Sequence, residues 1–133
     1  MIYYIKNEVD GAYIYPNKRR SGYTAFGVVK KICLKHLTTF EAYLKTVRLI
    51  MPDRYKIPIV LSSRYAFFST RSYKDIDSIW INYMEIKEIV YLRTSIIFIF
   101  DEKYELNIEM TTKNYQRLVS IIFKVLKYRE SLD

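Results

Sequence analysis

An α+β fold, mainly antiparallel sheet with one mid-chain helix and a long C-terminal helix, is what the sequence predicts, and three observations predict it. Short apolar or alternating runs bounded by turn residues recur near the start and in the second half. Residues Thr38–Met51 carry helical periodicity with a start and a stop signal, and residues from Thr111 to about Arg129 carry a longer and wider apolar face. With 133 residues, half of them apolar, residues 1–133 make a single domain with one core.

Ile2–Ile5 and Ala12–Tyr15 read as a hairpin around the turn residues Asn7, Asp10 and Gly11, and Pro16 closes its second strand. Lys18-Arg19-Arg20-Ser21-Gly22 reads as an exposed basic loop, and Ala25–Leu34, with Phe26, Val28, Val29 and Ile32, as a strand-like run. In the first helix Thr38 and Glu41 have capping-box spacing. Phe40, Tyr43, Leu44, Val47, Ile50 and Met51 follow the i, i+3, i+4, i+7 template, and Pro52 ends it. Lys45 and Arg48 fall on its other side, either as an ordinary solvated face or along a nucleic-acid backbone.

The stretch from Arg54 to Asn82 joins two apolar runs, 57–61 and 79–81, through a segment in which basic and aromatic residues alternate: Arg64 with Tyr65, then Phe67 and Phe68, then Arg71 with Tyr73. It reads as a loop held out by strands. Residues Met84–Leu92, Ile96–Phe100 and Tyr104–Met110 follow as an antiparallel meander turned by Asp101-Glu102-Lys103, with Glu105, Asn107 and Glu109 on the outer side of its last strand. Thr111 or Thr112 caps the final helix, whose face of Tyr115, Leu118, Val119, Ile122 and Leu126 is widened by Ile121, Phe123 and Val125. A helix apolar over so much of its circumference is sunk into the sheet or paired with a second subunit. Tyr115, Leu118, Ile121, Ile122 and Val125 are therefore the candidate oligomerisation residues.

The net charge of +8 is uneven: residues 18–74 carry 13 bases and two acids, a surplus of +11, whereas 75–110 carry three bases and eight acids. That split points to a polyanionic partner for the middle of the chain. Three glycines and no GxGxxG or GxxxxGK[ST] pattern disfavour nucleotide hydrolysis. The one cysteine, Cys33, permits no intrachain disulfide, Glu8 and Asp10 interrupt the start too early for a signal-peptide core, and no charge-free run approaches the ~18 residues of a membrane span. A soluble, cytoplasmic protein with no membrane partner is expected. Cys33 and His36 have the spacing of half a zinc site without a second pair, and the carboxylate pairs Asp75/Asp77 and Asp101/Glu102 fall in turns. The expectation is a protein that is not an enzyme, with no cofactor and no metal.

Several pieces in order resemble the competence transcription factor (ComK-like) family over about residues 30–125: Tyr55-Lys56-Ile57-Pro58-Ile59-Val60, Phe67-Phe68-Ser69-Thr70, Ile79-Trp80-Ile81-Asn82, the strand pair Ile96–Phe100 and Tyr104–Met110, and Cys33 ahead of the Lys-x-Pro piece. The chain resembles a short, diverged member, with Ser69 where the family commonly has proline, Asp101-Glu102-Lys103 where it often turns on Asn-Gly, and the helix-like Thr38–Met51 in place of glycine-containing basic sequence. The resemblance implies an activator of competence genes that binds double-stranded AT-rich promoter DNA, largely through the minor groove, as a homo-oligomer (dimer or tetramer) on paired half-sites. It also implies a proteolytic adaptor as a partner.

From charge and position, Arg64, Arg71 and Lys74 are placed at the groove or its flanking phosphates, and Lys18, Arg19, Arg20, Lys30, Lys31 and Arg54 on the backbone, with Lys56 from the matching motif. Trp80 is expected as a core anchor beside Pro58, and Asn82 as the tie of a turn. Two other readings stay open. One is a pleckstrin-homology-like protein- or lipid-binding module; the other is an accessory homologue that regulates a full-length relative by mixed oligomerisation.

Overall fold

The structure, a computed structural model, describes residues 1–51 and 56–131. The chain runs β1 (Tyr4–Glu8), β2 (Gly11–Tyr15), β3 (Arg19–Ser21), α1 (Ala25–Lys35), α2 (Phe40–Ile50), β4 (Ile59–Val60), β5 (Ala66–Ser69), β6 (Trp80–Asn82), a single 3-10 turn (Tyr83–Glu85), β7 (Glu88–Tyr91), β8 (Ser95–Ile99), β9 (Glu105–Glu109) and α3 (Thr112–Glu130). Six strands form one antiparallel sheet in the order β3-β2-β1-β6-β5-β4, and β7-β8-β9 form a smaller one. The α+β class with mainly antiparallel sheet and a long C-terminal helix is what the chain adopts.

The centre of the larger sheet is buried on both faces. Register puts Ile5 and Trp80 side by side on one face, and there Trp80 stacks on Phe26 of α1 at 5.8 Å and on Tyr73 at 5.6 Å. Tyr4, Ile81 and Phe68 share the other face. Tyr4 lies 5.4 Å from the ring of Phe100, and Phe68 packs against Phe98 of β8 and Tyr115 of α3. α1 and α2 therefore cover one face, while the smaller sheet and α3 cover the other. Tyrosines form the joint between the sheets: Tyr3 and Tyr15 each pack edge-on against Tyr104, with the Tyr3 hydroxyl donating to Asp101 at 2.9 Å and the Tyr104 hydroxyl to the Pro16 carbonyl at 2.8 Å.

Four expectations are corrected. The strand-like run Ala25–Leu34 is helix α1. Its buried residues Ala25, Val28, Val29, Ile32 and Cys33 repeat with helical spacing, and Thr24 caps it by accepting from the Gly27 N–H. The β-branched residues argue locally for a strand, but packing on the sheet overrides so weak a preference. The basic loop at Lys18–Gly22 is edge strand β3, paired with β2. Gly11, at φ +129°, lets it pass: a Cβ there would stand 2.7 Å from the Ser21 carbonyl oxygen. The segment between the apolar runs is not one exposed loop, because Phe67 and Phe68 are fully buried in β5. Finally, Thr39 rather than Thr38 caps α2, accepting from the Ala42 N–H at 3.0 Å.

The oligomerisation set is also corrected. Tyr115, Leu118, Ile121, Ile122 and Val125 are all buried within the single chain. Phe68, Phe98 and Tyr91 supply the aromatic wall against Tyr115, and the Arg129 guanidinium donates through Nε to the Val60 carbonyl at 3.1 Å, fixing the far end of α3 to β4. A second subunit has no access to those five residues in the folded chain.

One buried tyrosine ties α2 to β4 and supplies a stability prediction. The Tyr43 hydroxyl donates to the Pro58 carbonyl and accepts from the Val60 N–H, each at 2.8 Å, and burial drives its pKa well above the ordinary phenolic value. Tyr43→Phe leaves two buried backbone groups unpaired and is expected to cost about 2 kcal/mol, read as a lower urea midpoint at unchanged slope.

Candidate nucleic-acid interface

Sequence order scatters the basic residues, but the fold gathers a subset of them. Reading α1 as a helix places Lys31 and Lys35 one turn apart on an exposed side. Register places Arg19 beside Ile14 on the α1-facing side of β3. Between them runs an open groove of about 530 Å³, lined by Tyr15, Asn17, Arg19, Arg20, Tyr23, Lys31, Lys35, His36 and Tyr65 over a floor that includes Ile14, Val28 and Ile32. Among the described residues lining it, four are Arg or Lys and none is acidic. Such a trough concentrates positive potential where an anionic backbone can lie.

Aromatic rings hold the cations in place. The Lys31 ammonium sits 4.2 Å over the ring of Tyr23, and the Arg64 guanidinium lies 5.8 Å from the ring of Tyr65. Tyr65 in turn stacks on the buried Phe67 and meets His36 edge-on at 5.6 Å, so Arg64 stands at the rim of the same groove. His36 Nδ1 is 2.9 Å from the Ile32 carbonyl. A carbonyl only accepts, so Nδ1 carries a proton and Nε2 is left for other partners. Arg20 is partly committed, its guanidinium 3.7 Å from Asp10, whose carboxyl is held below its ordinary pKa first by the Tyr13 hydroxyl.

The other candidates do not join this group. Lys30 turns to the opposite side of α1, 3.2 Å from Glu41 and 5.0 Å over Phe26, and shares a second depression with Lys74 and Asp75. Carboxylates beside both make that depression less suited to phosphate. Arg71 lies beyond the opposite end of β5 from Arg64 and does not line the groove. Lys56, at φ +45°, has its pKa lowered by burial and then by Arg117, which places it on the α3 side. Lys18, at φ +52°, occupies the turn leading into β3, next to the groove. Arg54 lies outside the described residues.

Lys35, His36 and Tyr23 also line the groove, beyond the cations that charge and position single out. The i, i+4 spacing of Lys31 and Lys35 would have found the first, had the segment been read as a helix. Asn82 and Trp80 are core residues. Asn82 is fully buried, its amide nitrogen donating to the carbonyls of Ile2 and Arg64 at 2.9 Å and its oxygen accepting from the N–H groups of Ala66 and Met84. Cys33 is buried with its thiol pKa pushed up to about 11 by desolvation, which makes it an inert apolar residue. Among the described residues no cluster of three or more potential metal ligands occurs, and no helix is long and apolar enough to cross a membrane.

A family model described as ComK protein matches residues 12–129. No curated protein and no solved structure matches the chain.

Proposed function

Because the chain belongs to the ComK family, which is a family of competence transcription factors, we propose that it is a cytoplasmic DNA-binding activator that engages AT-rich duplex through the groove between β3 and α1. The observation that carries this reading is the convergence of Arg19, Lys31 and Lys35 on one aromatic-braced groove, with Arg20 at its edge turned toward Asp10 and no acidic lining among the described residues. The short edge strand β3 brings the arginines to a protruding rim, suited to a narrow A·T minor groove of enhanced negative potential. Lys31 and Lys35, along the helix, are spaced to meet the flanking phosphates, with Arg64 and Lys18 beyond them. Recognition of this kind needs groove width more than base edges, and so needs no helix placed in the major groove.

Binding to paired half-sites as a multimer completes the proposal, with a proteolytic adaptor as a further partner. The mixed-oligomer reading differs only in assigning the groove no DNA. A pleckstrin-homology-like module fits less well, because α1 and α2 cover a full sheet face that a strand-rich domain closed by one C-terminal helix would leave to strands.

The test is selection of duplexes from a random pool by the purified protein, followed by a salt titration of the enriched sequence. An AT-rich motif and a log–log salt slope of about −3 to −4 per protomer, from roughly four phosphate contacts at −0.9 each, are expected. Enrichment of no motif together with a flat salt dependence would overturn the proposal.

A further inference from the structure

Strand β7 forms one edge of the smaller sheet, and between the charges at its ends, Lys87, Glu88 and Arg93, its centre carries none of the usual defences against pairing. The opposite edge, β9, alternates Glu105, Asn107 and Glu109, and β3 at the edge of the larger sheet carries two arginines. β7 instead reads Glu88-Ile89-Val90-Tyr91 and runs into Leu92, with Val90 41%, Tyr91 52% and Leu92 45% exposed.

The hydrogen bonds say which backbone groups are available. The Leu92 N–H donates to the Ser95 carbonyl at 2.9 Å, closing the hairpin to β8. Alternation along an antiparallel ladder then turns Val90 and Glu88 toward β8 and leaves the N–H and C=O of Ile89 and Tyr91 pointing outward. Beside this edge an apolar groove of about 380 Å³ lies between β7 and α3, bordered by Ile89, Tyr91, Val119 and Phe123, the last of these 56% exposed.

We propose that a second copy of this chain pairs antiparallel along β7, about a twofold axis at Val90. In that register Val90 faces its own counterpart, Ile89 faces Tyr91, and Glu88 faces Leu92. Every outward backbone group of Ile89 and Tyr91 finds a partner and a β-branched side chain meets an aromatic one, while just beyond the strand the exposed Lys87 faces Arg93 of the other copy, a like-charge pair that weakens the association without blocking the ladder. The two small sheets become one of six strands. A second copy is the occupant because the segment is complementary to itself under a twofold, which closes the assembly. Pairing of β7 with β9 would run head to tail without closing and would bring the apolar edge against glutamates.

This pairing deepens the multimeric reading given above and rests on it only for the DNA outcome. β7 belongs to the layer on the far side of the larger sheet from α1, so pairing leaves the basic groove open. A strand of this length buries less than a standard interface of about 1,200–2,000 Å², so the association is expected to be about micromolar, with Tyr91 and Phe123 adding surface beyond the strand.

Cysteine scanning in the full chain tests the register. Val90→Cys, on the axis, stands about 4.5 Å Cα to Cα from its counterpart and is expected to form a disulfide-linked dimer with copper phenanthroline as oxidant. Glu88→Cys, roughly 14 Å from its own counterpart, is expected not to, and the buried Cys33 gives no background. Sedimentation at tens of micromolar should show a dimer that Val90→Lys turns into a monomer with an unchanged circular dichroism spectrum. The same variant should keep its affinity for a single half-site duplex while losing cooperativity on a paired one. A monomeric parent protein, equal crosslinking at both cysteines, or a dimer that survives Val90→Lys would overturn the pairing. Crosslinking at Val90→Cys with no affinity for any duplex supports the pairing and overturns the DNA reading alone.

Discussion

Reversing charge at Arg19→Glu together with Lys31→Glu is expected to lower affinity for an AT-rich duplex about 100-fold at 0.1 M salt. These residues approach the groove from opposite walls, one on β3 and one on α1, and among the described residues neither has an ion pair across it. Each phosphate that is no longer neutralised takes about 0.9 off the salt slope, close to an eightfold change per phosphate between 0.1 and 1 M salt, and repulsion by the new carboxylates adds to that. Fluorescence anisotropy with a labelled duplex measures the change, and the slope should fall by about 2. As a control in the same protein, Lys30→Glu with Lys74→Glu changes as much charge on the opposite side of α1, where Glu41 and Asp75 already lie. Equal losses in the two double variants would mean that net charge, rather than this groove, governs binding.

The largest expected loss of stability follows from Asn82→Ala, at about 3 kcal/mol. The Asn82 amide joins the chain ahead of β1, the turn carrying Arg64, the start of β5 and the 3-10 turn in one buried knot of four hydrogen bonds. Truncation leaves those backbone groups without partners in a site the side chain has sealed from water. The denaturation midpoint should fall without a change in slope. At a temperature where the variant is still folded, its affinity for DNA should fall less than fivefold, since Asn82 positions Arg64 but has no solvent-exposed surface. A loss as large as that of the groove variants, in folded protein, would instead place Asn82 at the DNA.

Local signals were enough for several parts of this architecture. Alternation marked β9, the tight Asp101–Lys103 turn was legible because Asp101 accepts from the Lys103 and Tyr104 N–H groups, and the face of α2 followed from its apolar spacing. The Thr111 cap and length of α3 were equally plain. Misreadings arose where two local signals competed. In α1 the run of Val28, Val29 and Ile32 imitates a strand, although the pattern of burial has the period of a helix. In β3 the charges that keep an edge from aggregating also hide its pairing. Phe67 and Phe68, interleaved with exposed arginines, gave no sign that both faces of β5 are covered.

By itself the sequence determined the class of the fold, the ends of its later elements, the family resemblance and the surplus of positive charge in the middle of the chain. It also determined that α3 carries more apolar surface than one stripe. Tertiary structure alone decided what that surface meets, because Phe68 and Phe98 come to Tyr115 from distant strands. It alone decided which cations act together. Lys30 and Lys31 are neighbours in sequence, yet the roughly 100° turn per residue of a helix sends one to Glu41 and the other into the groove with Arg19. Charge composition is a local sum, whereas a binding surface depends on direction, and side-chain direction is set only when helix and sheet pack.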